Sequence, residues 1–199
     1  MTRPAKDWPL LLGADMVLAL RAGRKRQTRR LSFRWRSALP RDRLWTRETW
    51  AVDRTLDHLP PRALARDVEV EYLADGARRK NRSTFALGKS RPGIFLPRWA
   101  SRDLATILEV RVQHLHAITD EDAEDEGICA LEGQVEDVEL YRMAKAIGGT
   151  ALDPRVWYAV LWEKIHGAGA WALNPELVAL TFHRDSSLIA YASATPRAG

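Results

Sequence analysis

Apolar positions along the chain follow two patterns, one typical of strands and one typical of amphipathic helices. Alternation of apolar and polar residues predicts extended segments at 29–36, 44–50, 68–72, 107–116 and 177–182. Helical spacing predicts short helices at 15–22, which Gly23 ends, at 120–126, which Thr119 caps, and at 138–147 and 156–165. Asp75-Gly76 predicts a hairpin turn after the third extended segment. Strands mixed with a few short helices, without regular βαβ alternation, predict an α+β or small-barrel domain rather than a doubly wound sheet.

The composition is that of a folded globular protein. Hydrophobic residues make up 46% of the 199 residues and charged residues 29%, which is enough for a core and argues against intrinsic disorder. The length predicts a single domain over residues 1–185 and a flexible C-terminal tail at 186–199. Because Cys129 is the one cysteine and no segment resembles a signal peptide or a membrane span, we expect a cytoplasmic protein with no membrane partner.

Charge is distributed unevenly along the sequence. The net charge is +5, and residues 21–47 are rich in arginine, with Asp42 as their only acidic residue. Residues 120–139 are the reverse, rich in Asp and Glu and without Lys or Arg. A basic segment of this kind is typical of proteins that bind phosphate-bearing ligands, so we expect RNA or a modified nucleoside or nucleotide as the partner.

The segment 23–30, Gly-Arg-Lys-Arg-Gln-Thr-Arg-Arg, is the first candidate for chemistry. Lys25 is surrounded by arginines, and like charges disfavour its protonated form. A neutral Lys25 can accept the proton of the Thr28 hydroxyl and turn it into a nucleophile. The alternative interpretation is a solvated basic patch that contacts phosphates. In either case the predicted ligand-binding residues of this segment are Arg26, Arg29 and Arg30.

Glu126 is the second candidate, at the carboxyl end of the predicted acidic helix. The helix dipole and the neighbouring carboxylates of Asp122 and Asp125 favour its protonated form. A carboxyl group in this situation suits a general acid or base. The alternative is an exposed acidic helix without a chemical role.

Two motifs place tryptophan beside arginine, a combination that can stack a base and neutralise a phosphate. They are Trp45-Thr46-Arg47-Glu48 and Pro97-Arg98-Trp99-Ala100-Ser101-Arg102. The ligand-binding residues predicted from them are Trp45, Arg47, Glu48, Arg98, Trp99, Ser101 and Arg102. The alternative is that the tryptophans belong to the core, since the chain has eight of them.

Other common kinds of site are disfavoured by the sequence. His114 and His116 share one face of a predicted strand, but no second close pair of ligands accompanies them, so no metal is predicted. The sequence contains no G-x-G-x-x-G, P-loop or G-x-S-x-G motif. We therefore expect no cofactor.

Taken in order, these segments resemble the ASCH-domain family, in the branch common in phages and prophages. The resemblance runs from about Pro9 to Asp185 and is carried by the segments 16–30, 44–50, 97–102, 118–128 and 161–175. It implies a PUA-like small mixed β-barrel with flanking short helices and a cleft for RNA or a modified nucleoside.

The resemblance also implies an activity. Small bacterial members hydrolyse the acetyl amide of N4-acetylcytidine with a Lys-x-x-Thr motif and a Glu in the acidic helix, positions that match Lys25, Thr28 and Glu126. Other members are associated with RNA cleavage or nucleic-acid binding, so a ribonuclease and a non-catalytic RNA-binding module are the alternatives. This chain departs from the small hydrolases by an insertion at 53–90, and by Arg26 where a small polar residue is more usual. The extra positive charge favours a phosphate-bearing ligand.

Overall fold

The computed structural model describes residues 3–80, 85–131 and 135–185, and the tail predicted at 186–199 lies outside them. The fold is α+β, as predicted, with two sheets and a few short helices. The strands are β1 (Asp7–Leu11), β2 (Gln27–Arg30), β3 (Arg43–Arg47), β4 (Trp50–Ala51), β5 (Val70–Tyr72), β6 (Ala77–Arg79), β7 (Leu104–His114) and β8 (Glu176–Arg184). The helices are α1 (Ala14–Arg21), α2 (Asp120–Asp125), α3 (Asp137–Ile147) and α4 (Pro154–His166).

The strands form a five-stranded sheet, in the order β1-β3-β7-β8-β2, and a three-stranded sheet, in the order β4-β5-β6. No closed barrel is found among the described residues, so the PUA-like barrel stays a prediction. None of the helices in the described part of the chain combines the length and the apolar composition that a membrane span requires.

The chain separates by its backbone contacts into two compact units. The described residues of unit 1 are 3–18, 42–80, 85–106 and 184–185. Those of unit 2 are 19–41, 107–131 and 135–183. The single domain over residues 1–185 and the insertion at 53–90 stay predictions, and each unit is described by itself.

Unit 1 is built around short strand pairings and its own core. β1 pairs in parallel with β3, and β3 pairs antiparallel with the first residues of β7. β5 and β6 form the hairpin predicted from Asp75-Gly76, and Gly76 adopts a φ of +67° that favours glycine. The buried residues of this core are Trp50, Val52, Leu64, Val70, Tyr72, Leu96 and Ala100.

Unit 2 contains the larger set of helices. β2 pairs antiparallel with β8, so that Thr28 lies opposite Leu180. α4 supplies much of the core, because one side of this helix is buried against α2 and α3. The α4 residues in this core are Val156, Tyr158, Ala159, Val160 and Trp162.

The extended segment predicted at 29–36 is only partly correct. β8 provides backbone partners for residues 27–30 alone, and a strand without a partner is not stable in water. Beyond Arg30 the chain turns into a 3₁₀ segment, Phe33–Ser37, which buries Trp35 and leaves Phe33 exposed. The alternation of apolar residues therefore does not correspond to one face of a strand here, because Trp35 is buried and Phe33 is exposed.

Candidate functional site

The end of α1 sets the direction in which Lys25 points. Gly23 closes the helix, as predicted, with a left-handed φ of +74° that side chains rarely adopt. The backbone N–H groups of Arg24 and Lys25 both donate to the carbonyl of Ala19, at 2.9 and 3.1 Å. This tight turn buries the Lys25 side chain, of which 3% is exposed, and β2 begins two residues later at Gln27.

The acidic helix α2 begins as the sequence predicts. The Thr119 hydroxyl accepts a hydrogen bond from the backbone N–H of Asp122 at 3.1 Å, and the Asp122 carboxylate accepts one from the Thr119 N–H at 3.5 Å. Asp122 and Glu126 are one helical turn apart, so they project from the same face of the helix. Both are buried, and Glu126 caps the carboxyl end.

Charged side chains from these elements and from β7 meet in a buried group, which we call the ion cluster. Its members are Lys25, Gln27, Arg29, Arg111, Asp122 and Glu126. Lys25 Nζ lies 3.0 Å from Glu126 Oε2, and Arg29 Nη1 donates to Glu126 Oε1 at 3.2 Å. The cluster holds three cations and two carboxylates, and Arg111 also lies 3.5 Å from Glu109 Oε2.

Asp122 accepts the larger number of hydrogen bonds in the cluster. Arg29 Nη2 donates to Oδ2 at 2.7 Å, while Gln27 Nε2 and Arg111 Nη2 donate to Oδ1 at 2.8 and 2.7 Å. Burial by itself raises the pKa of Asp122. The hydrogen bonds from Arg111 and Gln27 and the charge of Arg29 outweigh burial and hold that pKa below its ordinary value. The carboxylate form of Asp122 is therefore favoured, and it accepts hydrogen bonds from Gln27 and Arg29.

Lys25 has all three of its ammonium N–H groups engaged. They donate to the Gln27 carbonyl at 3.0 Å, to the Glu126 carbonyl at 2.7 Å and to Glu126 Oε2. Burial lowers the pKa of Lys25 and is the largest effect, Glu126 opposes it, and the charges of Arg30 and Arg29 lower the pKa further. The lowered pKa predicted from the sequence is confirmed, but its main cause is burial rather than crowding by arginines.

Thr28 is buried in β2 between two residues of the ion cluster. Because side chains alternate along a strand, its hydroxyl lies on the face opposite to Gln27 and Arg29. The Lys25 ammonium group donates to the carbonyls of Gln27 and Glu126 and to Glu126 Oε2, and not to the Thr28 hydroxyl. The structure thus brings Lys25 and Glu126 into contact, and does not join Lys25 to Thr28.

Gly127 is required where α2 approaches β2. Its φ is +85°, and a Cβ atom there would lie 3.1 Å from the Cβ of Lys25 and 3.2 Å from that of Ala19. Contacts this short force a neighbour to move. A glycine at this position therefore lets Lys25 reach Glu126.

The flanking basic residues divide into buried and exposed groups. Arg29 is part of the ion cluster, and burial lowers the pKa of Arg30. Arg26 is 62% exposed and forms an ion pair of 2.6 Å with Asp125. Arg24 and Arg26 also line a cleft of about 560 Å³ together with Trp157, but Lys25, Thr28 and Glu126 are not among its lining residues.

Sequence reasoning missed three contributors to the site. No role was predicted from the sequence for Arg111, Gln27 or Tyr158, although Arg111 and Gln27 donate to Asp122 and Tyr158 lies in the core of unit 2. The guanidinium carbon of Arg29 lies 5.6 Å from the ring centroid of Tyr158. Burial, followed by the charge of Glu126, raises the pKa of Tyr158 well above its ordinary value. A polar residue in a buried strand is a signal for Gln27, whereas the Arg111 side chain is 35% exposed and gives no such signal.

In unit 1, Glu48 and Arg102 form a close ion pair. Arg102 Nε and Nη2 each donate to a Glu48 oxygen at 2.8 Å, and Nη1 donates to Asp75 at 2.9 Å. The guanidinium also lies 4.2 Å from the ring centroid of Tyr72. Burial raises the pKa of Glu48, although Arg102 opposes that shift. These contacts join Glu48, Arg102, Asp75 and Tyr72 within unit 1, and the role of Glu48 and Arg102 in ligand binding stays a prediction.

The other predicted residues of unit 1 are held by contacts within that unit. Trp45 is buried, with the guanidinium carbons of Arg47 and Arg98 at 4.8 and 5.7 Å from its ring centroid, which favours the core interpretation of this tryptophan. Arg98 forms an ion pair of 3.0 Å with Asp7. Trp99 is half-buried, and the buried Ser101 hydroxyl donates to a backbone carbonyl. Their ligand-binding roles stay predictions.

Comparison of the chain with models of protein families, with curated proteins and with solved structures found no match. The ASCH resemblance therefore stays an expectation from the sequence. Within the described ranges, no group of three or more His, Cys, Asp or Glu side chains is arranged to hold a metal ion.

Proposed function

We propose that this protein binds a cytidine-type nucleoside, free or within RNA, and hydrolyses an acyl amide on its exocyclic amine. The observation that carries the proposal is the buried Lys25–Glu126 ion pair, formed by residues 101 positions apart. Thr28, three positions after Lys25, completes the residue set that the ASCH resemblance implies for this reaction. A PUA-like barrel is part of the same proposal.

The reaction begins with the ion pair in its neutral form. Burial lowers the pKa of Lys25, and two neutral groups cost less to desolvate than two ions. Transfer of one proton from Lys25 Nζ to Glu126 produces an amine and a carboxylic acid. Because Thr28 lies on the face of β2 opposite to Gln27 and Arg29, the amine must move out of the ion cluster to reach the Thr28 hydroxyl. That movement requires release of its backbone acceptors, the carbonyls of Gln27 and Glu126.

Acyl transfer to Thr28 then uses both groups. Thr28 Oγ1 attacks the acyl carbon, and its proton passes to Lys25 Nζ. Glu126 protonates the exocyclic nitrogen as the carbon–nitrogen bond breaks, which leaves an acyl ester on Thr28. Water then attacks the ester. Glu126 takes a proton from the water, and Lys25 returns its proton to Thr28 Oγ1, so that the starting state is restored.

The decisive experiment is mass-spectrometric detection of cytidine formed from N4-acetylcytidine. We expect conversion by the wild-type protein and by Thr28→Ser, which keeps a hydroxyl group. We expect none by Thr28→Ala, or by Thr28→Val, which has nearly the shape of threonine without the hydroxyl. Equal rates of cytidine formation by wild type and Thr28→Val would show that Thr28 is not the nucleophile. No conversion by folded wild-type protein would refute the hydrolase.

A non-catalytic RNA-binding module is the second candidate. It is favoured by the full hydrogen bonding of the Lys25 ammonium group, which as it stands has no free electron pair to accept a proton. This candidate predicts that wild type and Thr28→Val bind RNA equally and that neither converts N4-acetylcytidine. Cleavage of RNA by wild type, with loss of cleavage in Lys25→Ala, would favour a ribonuclease instead.

A further inference from the structure

The turn that follows β2 exposes an aromatic ring to solvent. We call residues 31–37 the Phe33 turn. Phe33 is 79% exposed, whereas Trp35, two positions later, is buried and anchors the turn. The Ser37 hydroxyl donates to the carbonyl of Arg34 at 2.9 Å and closes the 3₁₀ segment. The ring of Phe33 is therefore held outward by a short, anchored turn rather than by a loose loop.

Arginines accompany the exposed ring. The guanidinium carbon of Arg36 lies 5.3 Å from the ring centroid of Phe33, and that of Arg34 lies 5.1 Å from the centroid of Trp35. Arg36 also forms an ion pair with Glu176. Residues 31–41 contain no acidic residue. An exposed aromatic ring among cations is the arrangement that stacks an unpaired base and neutralises the phosphates beside it.

The Phe33 turn continues directly from the strand that carries Thr28. Phe33 is five positions after Thr28 in the sequence, and a fully extended chain of that length spans at most about 18 Å. A base at Thr28 and a base at Phe33 can thus belong to one short single strand.

We propose that the Phe33 turn stacks a base of single-stranded RNA, with Arg34 and Arg36 beside the adjoining phosphates. A consequence for the substrate rests on the proposed hydrolase function. The substrate of that hydrolysis is an acylated base within an RNA strand rather than the free nucleoside. Stacking on Phe33 would hold the neighbouring nucleotide while Thr28 reacts with the modified one.

Binding of a fluorescently labelled single-stranded oligocytidylate, measured by anisotropy, tests the stacking. We expect Phe33→Ala to weaken binding by about 5- to 150-fold, the change that corresponds to the loss of one stacked base. Phe33→Trp keeps an aromatic face and should bind as wild type does. Leu173→Ala is the matched control, since Leu173 is a 78% exposed apolar residue of the same unit, and it should have no effect.

Two binding results would overturn the stacking proposal. One is an affinity of Phe33→Ala within about twofold of wild type, because loss of one stacked base costs more than that. The other is an equal loss of affinity for a fully paired RNA duplex, because a paired base has no free face to stack on Phe33.

Hydrolysis separates the RNA substrate from the free nucleoside. We expect Phe33→Ala to lower kcat/KM for an acylated cytidine within an oligonucleotide and to leave that for free N4-acetylcytidine unchanged. An equal effect on both substrates would overturn the proposed substrate. If wild type hydrolyses neither, the hydrolase fails and the substrate step fails with it, while the binding measurements still decide the stacking.

Discussion

At the scale of single residues, the ion cluster is costly to maintain. Lys25, Arg29 and Glu126 are all buried, and removing charges from water costs several kcal/mol per ion unless partners compensate them. Apolar residues of similar size often stabilise a core equally well. The members of the ion cluster therefore depend on one another to compensate their charges.

Replacing Glu126 by Gln tests this dependence. The substitution removes the carboxylate from two buried cations, so we expect the free energy of unfolding to fall by about 3–5 kcal/mol. Urea denaturation measures it. Asp125→Asn is the matched control, because Asp125 pairs with the exposed Arg26 and such pairs contribute about 0–1 kcal/mol. An equal loss of unfolding free energy in Glu126→Gln and Asp125→Asn would show that burial of the ion pair does not determine its contribution to stability.

At the scale of secondary-structure elements, the site depends on two short segments. α2 has six residues and β2 has four, and helices of this length are not stable by themselves. α2 is held by its capping box and by packing against α4. Since α2 carries Asp122 and precedes Glu126, the stability of its first turn determines how well the ion cluster is ordered.

Removing the N-cap of α2 should therefore reduce the order of the ion cluster as well as the stability of the helix. We expect Thr119→Ala to lower the free energy of unfolding by about 1 kcal/mol, the usual contribution of an N-cap hydroxyl. Chemical denaturation of Thr119→Ala beside Thr119→Ser measures the contribution, because serine can make the same hydrogen bond to the Asp122 N–H. If the two variants were equally unstable, the hydroxyl would not be the capping group.

At the scale of the whole molecule, charge is the property on which the proposed binding of RNA depends. The net charge is +5, and positive charge is concentrated in the segment around Lys25 and the Phe33 turn. In the proposed complex, phosphate contacts release counterions from the RNA, and this contribution to the affinity weakens as salt is added.

We therefore expect RNA affinity to fall linearly with salt on a double logarithmic plot. The slope for single strands is about −0.7 per neutralised phosphate. Replacing Arg34 by Gln should make the slope shallower by about 0.7, if Arg34 neutralises one phosphate. Anisotropy titrations between about 50 and 200 mM salt measure both slopes. If the RNA affinity of the wild type did not change with salt, the proposed contacts with phosphates would be contradicted.

The sequence alone was sufficient for features that depend on neighbouring residues. The cap at Thr119, the helix end at Gly23 and the turn at Asp75-Gly76 were all predicted and are present. Each depends on the conformational preference or hydrogen bonding of residues within a few positions of one another. The lowered pKa of Lys25 was predicted in direction, but its cause was not, because burial cannot be read from a charge pattern.

Only the tertiary structure decided which distant residues meet. Lys25 and Glu126 are 101 positions apart, and Arg111 on β7 donates to Asp122 on α2. The path of residues 31–36 likewise depended on whether β8 offered them a backbone partner, which it does only up to Arg30. Pairing, burial and contact across the chain are set by the packing of whole elements, and local sequence patterns do not contain that information.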